Sequence, residues 1–194
     1  SVAELRALGE LSKRLGLKMH MDGARFANAV ASLGVAPREI TWQAGIDVLC
    51  FGGTKNGTHV GDAVVFFNRG LAHEFDYRCK QAGQLASKMR FLAAPWAGML
   101  QDGAWLRRAA HANQMAQLLF YCLKDMPEVT ILFPRQANAV FAELPPHAIA
   151  GLRDRGWMFY TFIGQGGCRL MCSWDTTEGD VQAFVADLKS LLRV

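Results

Sequence analysis

The chain has 194 residues, 51% of them hydrophobic and 20% charged, with a formal net charge of +4. That is enough apolar material for one large domain or two small ones. The mild charge, interleaved with acids, excludes a nucleic-acid footprint, and no run of about 18 apolar residues is present to span a membrane.

Leu5, Leu8, Leu11 and Leu15 recur at spacings of three and four, which predicts an amphipathic helix over 2–15 closed by Gly16. Residues 1–16 mix apolar and charged positions, so no signal peptide is expected and the location is expected to be cytoplasmic. The chain opens directly inside this helix with Ser and no polar lead-in, and is expected to be the C-terminal part of something longer. Leu17–Met21 reads as a short strand ending at Asp22-Gly23, and 24–33 as a helix closed by Gly34. After a turn at Pro37, Val48–Phe51 reads as a buried strand. It breaks into Gly52-Gly53-Thr54-Lys55-Asn56-Gly57, and Ala63–Phe67 reads as the next strand. This order predicts an α/β layer with a mainly parallel sheet, whose ligands bind at the carboxyl ends of the strands.

Residues 71–92 read as helical, with Pro95 interrupting the pattern, and 104–124 as a long helix ended by Pro127. Strands are expected over 129–133 and 139–144, followed by a helix over 147–155. An antiparallel strand pair is expected around Gly164–Gly167, and Thr177 starts a last helix. This second part reads as a small α+β domain. The five cysteines, Cys50, Cys79, Cys122, Cys168 and Cys172, are odd in number, and four lie in apolar runs. Reduced core thiols are expected, and no metal site, because no His/Cys pair stands at zinc spacing.

Lys55, on a Gly-rich turn between two buried strands, is placed for a reactive amine, which works unprotonated or as a Schiff base. An aldehyde cofactor of the pyridoxal type also needs an acid at its ring nitrogen and donors for its phosphate. Asp22 is the candidate acid. Arg25 lies one helical turn on, and Thr54 offers a hydroxyl. Each has a plainer reading: Asp22 as a cap or turn residue, Arg25 as a surface charge, Lys55 as a solvated turn lysine. His20 is read as a sheet or core histidine rather than a base. Arg169, between Cys168 and Leu170 on an apolar strand, needs an anionic partner: a substrate carboxylate or an internal Asp or Glu.

His20-Met21-Asp22-Gly23-Ala24-Arg25, with Cys50-Phe51-Gly52-Gly53-Thr54-Lys55-Asn56-Gly57 about thirty residues on, resembles the low-specificity L-threonine aldolases. Arg90–Ala94 and Arg169–Trp174 carry the same resemblance, which runs over essentially the whole chain. It implies the C-terminal part of the large domain of the aspartate-aminotransferase fold over 1–103, and a linking helix with the small C-terminal domain over 104–194. It implies pyridoxal 5'-phosphate and retro-aldol cleavage of threonine-type β-hydroxy-α-amino acids to glycine and an aldehyde. Lys55 then bonds the cofactor, Asp22 pairs with the pyridinium nitrogen, Arg25 sits near the phenolic oxygen, Thr54 near the phosphate, and Arg169 grips the substrate carboxylate. Lys80, Lys88 and Arg90 are further candidates for the cofactor or a neighbouring subunit.

The family's phosphate loop and ring-stacking histidine are absent from the sequence, and His20 is not that histidine because it lies in the aspartate motif itself. The chain by itself is therefore expected to be inactive, with the missing N-terminal half of the enzyme as its partner and a homodimer or tetramer as the assembly. The alternatives are another pyridoxal-phosphate lyase or aminotransferase, or an inactive fragment serving as a structural or interaction domain.

Overall fold

The computed structural model describes residues 1–192. The chain divides into two compact units, residues 1–107 and 108–194. In the first, helix α1 (Val2–Arg14) starts on a capping box in which the Ser1 hydroxyl accepts from the Glu4 amide and Glu4 reaches back to the first residue. Strand β1 (His20–Gly23) pairs parallel with β2 (Val48–Gly52), which pairs antiparallel with β3 (Asp62–Phe66). Helix α2 (Phe26–Leu33) follows β1 and ends on Gly34 at φ 64°.

Three expectations need correction here. β1 begins at His20, not Leu17: the Leu17 amide still bonds back to Ser12 and the Met19 amide donates to the Asp47 carboxylate, so the ladder starts one residue later. The sheet is mixed rather than mainly parallel. Residues 53–61 are too few for the crossover of about a dozen that a parallel neighbour needs, and β3 returns antiparallel. The single helix expected over 71–92 is broken into a 3-10 turn (Arg69–Ala72), α3 (Phe75–Gln81) and α4 (Met89–Leu100). Gly83, at φ 70°, ends α3, whereas Pro95 lies inside α4 and does not end it.

Helix α5 (Ala104–Leu123) runs from the end of the first unit into the second. The second unit is a four-stranded antiparallel sheet in the order β4 (Thr130–Ile131), β5 (Ala139–Glu143), β7 (Gly167–Met171), β6 (Tyr160–Ile163). Its core joins Leu119 and Leu123 of α5 to Val140 and Ala142 of β5, Leu152 of α6 (Pro146–Asp154) and Leu188 of α7 (Glu178–Leu192). Thr177 starts α7 as expected, exchanging hydrogen bonds with Asp180.

The thiols divide differently from the sequence reading. All five are free, but only Cys168 and Cys172 are buried, and Cys50, Cys79 and Cys122 are half-buried. Apolar neighbours along the chain do not report the depth of one particular side chain. Burial pushes the thiols of Cys168 and Cys172 up to about 11, and only the thiolate attacks. With a disulfide reagent at pH 8, the folded protein is expected to leave these two unlabelled while denaturant exposes all five. Peptide mass mapping checks this, and early labelling of Cys168 or Cys172 would contradict it.

Candidate active site

The site is built where β1 and β2 end. Parallel pairing sets Asp22 opposite Cys50 and Gly23 opposite Phe51, so the aspartate motif and the lysine turn leave the sheet at the same edge. Asp22 is exposed, and one carboxylate oxygen accepts the Ala24 amide at 3.0 Å, turning the chain toward α2. The plain turn reading of Asp22 is therefore met, and it is compatible with a second role, since a carboxylate has about four acceptor positions. Arg25 is half-buried at the start of α2.

The two motifs touch backbone to backbone. A Cβ on Gly52 would fall 2.7 Å from Ala24 Cα, and one on Gly23 would fall 2.6 Å from the Cys50 carbonyl oxygen. Glycine is required at both for this close approach rather than for a positive φ. Thr54, Lys55 and Asn56 then form one 3-10 turn closed by Gly57 at φ 90°. Thr54 and Lys55 are exposed, while Asn56 is only 3% exposed. The Gly53 amide donates to the Asp62 carboxylate at 3.3 Å. Below the turn, Phe51 meets Phe26, Trp96 and Trp105 edge-on at 5.2–5.4 Å between ring centres. This cluster underlies both motifs, since Phe26 follows Arg25 and Phe51 precedes Gly52.

His20 is exposed on β1, two residues before Asp22 and so on the same face of the sheet. Its Nε2 lies 3.2 Å from Cys50 Sγ. The Cys50 thiol is pushed up by burial first, and then by the carboxylates of Asp62 and Asp22.

Within the second unit, Arg169 is central in β7, opposite Phe141 on one side and Tyr160 on the other. It is half-buried, its guanidinium lies 5.2 Å from the centre of the Tyr160 ring, and its Nε is buried with no hydrogen-bond partner. Among the described residues it makes no ion pair, so the internal Asp or Glu partner is not realised. A buried N–H without an acceptor is costly, and the Arg169 side chain lines a cavity of about 580 Å³ with Arg153, Trp157, Tyr160 and Met171. Lys80, Lys88 and Arg90 are exposed, with Arg90 over the Phe91 ring. Sequence reasoning passed over Asn56, Asp62, Trp96 and Trp105. The only signal for Asn56 was its place in a Lys-Asn-Gly turn, which reads as solvated.

The sequence profile of the beta-eliminating lyase family matches residues 1–145. The low-specificity L-threonine aldolase of Pseudomonas sp. (strain NCIMB 10558) is 62% identical over 189 residues, and that of Pseudomonas aeruginosa 61% identical over 189 residues. In both cases the match takes in 97% of this chain and 55% of the relative, so the chain spans about half their length. Among solved structures, the threonine aldolase of Leishmania major superposes with a TM-score of 0.88 at 29% identity, over 98% of this chain and 56% of that one. A sphingosine-1-phosphate lyase of Burkholderia pseudomallei, at TM-score 0.74 and 16% identity over 97% of this chain and 48% of that one, shares the fold. The architecture is that of the fold-type I enzymes: a partial mixed large-domain sheet and a small antiparallel C-terminal sheet. Because the matched profile takes in both the aspartate motif and the lysine turn, the chain belongs to the beta-eliminating lyase family.

Proposed function

We propose that this chain carries the lysine and the ring-nitrogen acid of a pyridoxal-phosphate aldolase. The complete enzyme then cleaves L-threonine, allo-threonine and related β-hydroxy-α-amino acids to glycine and an aldehyde. The observation that carries the reading is the shared edge of β1 and β2, where Asp22 and Lys55 stand exposed on motifs in backbone contact. The identity to the two Pseudomonas aldolases narrows the reaction.

The donor set fits the cofactor: an amine, a carboxylate, a guanidinium and a hydroxyl at one sheet edge. Lys55 would hold its aldehyde carbon, Asp22 its ring nitrogen, Arg25 its phenolic oxygen and Thr54 its phosphate. When bound, the cofactor supplies a ring that takes up the electrons of the breaking Cα–Cβ bond. Asp22 would keep a proton on the ring nitrogen by accepting its hydrogen bond. By the family resemblance Arg169, whose Nε has no hydrogen-bond partner, would take the substrate carboxylate in a fork.

On this reading residues 1–103 belong to the cofactor-bearing domain and 104–194 to the linking helix and small domain. The phosphate loop and ring-stacking histidine come from the portion of the relatives that this chain does not span, and the working assembly is a cytoplasmic dimer or tetramer. No helix among the described residues is long and apolar enough to cross a membrane.

Given L-threonine and pyridoxal phosphate, the complete enzyme is expected to release glycine and acetaldehyde in equal amounts. A 2-keto acid in their place would assign elimination or transamination instead, and no turnover would leave a non-catalytic role.

A further inference from the structure

The residue after Lys55 is buried where Lys55 is exposed. Asn56 is 3% exposed, and its Nδ2 donates to the Trp105 carbonyl at 2.9 Å. Its amide donates to the Gly53 carbonyl at 2.9 Å, and the Thr58 amide donates to the same oxygen at 3.2 Å. Asparagine often sits in turns because it tolerates a positive φ, but Asn56 is not among the positive-φ residues, and Gly57 takes that conformation. The turn therefore uses the side chain of Asn56 rather than its backbone tolerance.

A 3-10 turn has three residues per revolution, so Lys55 projects about 120° round the axis from Asn56. Pinning Asn56 inward fixes the direction in which Lys55 leaves the turn. The anchor also reaches the other motif. The Trp105 ring is stacked on Phe26 at 6.3 Å and meets Phe51 edge-on at 5.4 Å. Phe26 directly follows the aspartate motif and Phe51 leads into the lysine turn. The Gly53 backbone is held between Thr58 and Trp96, since a Cβ there would fall 2.5 Å from the Thr58 hydroxyl oxygen and 2.6 Å from the Trp96 ring.

We infer that Asn56 is a positioning residue for Lys55: its hydrogen bond to the Trp105 carbonyl sets the lysine amine in register with Asp22. The inference rests on the role proposed for Lys55.

The test uses the complete enzyme and follows the visible absorbance of the lysine-bound cofactor against pH, beside kcat and KM. Asn56→Asp keeps the shape but replaces the donor with an oxygen. It is expected to move the pH midpoint of the absorbance change and to lower kcat by about 10- to 100-fold, the scale of a misplacement near 1 Å, with KM changed less than about twofold. Asn56→Ser, which keeps a shorter donor, is expected to fall between the two and decides the matter if Asn56→Asp does not fold. Ile40→Val, a core truncation in the 37–40 turn, controls for lost stability and is expected to keep the parental midpoint. A parental midpoint and kcat in Asn56→Ser, or the same shift in Ile40→Val, would overturn the inference. If Lys55→Ala left cofactor attachment unchanged, the functional reading itself would fall instead.

Discussion

Lys55→Ala in the complete enzyme is expected to lower turnover by on the order of 10³-fold or more, the scale on which removal of a covalent catalytic group acts, while leaving the fold intact. The two halves of this expectation have separate causes. The loss follows from the amine, because no other side chain on the turn can bond an aldehyde carbon. The retained fold follows from burial: Lys55 is exposed and forms no ion pair among the described residues, and the turn is held by Asn56, Gly53 and Thr58. An exposed substitution of this kind stays within about 0.5 kcal/mol. Borohydride reduction of the parent enzyme is expected to leave a pyridoxyl group on the peptide containing Lys55, and none anywhere in Lys55→Ala. A label on Lys80 or Lys88 would move the reactive amine elsewhere and sink the assignment.

Gly52→Ala is expected to damage both stability and activity through a single methyl group. The added Cβ would stand 2.7 Å from Ala24 Cα and 2.8 Å from Ala24 O. Both are backbone atoms, with no rotamer to yield, so β2 and the aspartate motif must part. Overpacking of this kind costs about 1–3 kcal/mol. The displacement separates the segments that bear Asp22 and Lys55, so kcat is expected to fall about 100-fold. Gly98→Ala is the matched control. It lies inside α4, and a Cβ there meets nothing within 4 Å. It is expected to be neutral or to raise stability by up to about 1 kcal/mol through helix propensity. Thermal unfolding of the two variants checks the contrast, and equal melting temperatures would show that the close approach of Gly52 to Ala24 does not constrain the fold.

The residues alone determined a good deal of this. The helices α1, α5 and α7 and the strand β2 follow from local periodicity, and the Asp22 and Lys55 motifs stand out because each is one short uninterrupted string. The direction of β3 was not among these: apolar runs suggest parallel neighbours, and the antiparallel return follows from the short connection over 53–61. Other features depend on partners that no local pattern can contain. Asn56 looks like a solvated turn residue until its side chain meets the Trp105 carbonyl, 49 positions away. Gly52 looks like turn punctuation until Ala24 is brought within 3 Å of where its Cβ would be. Arg169 could equally have met an internal carboxylate until the sheet put Tyr160 and Phe141 on either side of it. Sequence pattern specifies which faces are apolar, and so the elements. Which polar group is buried, and against what, is settled only when those faces pack, because desolvation depends on neighbours in space rather than along the chain.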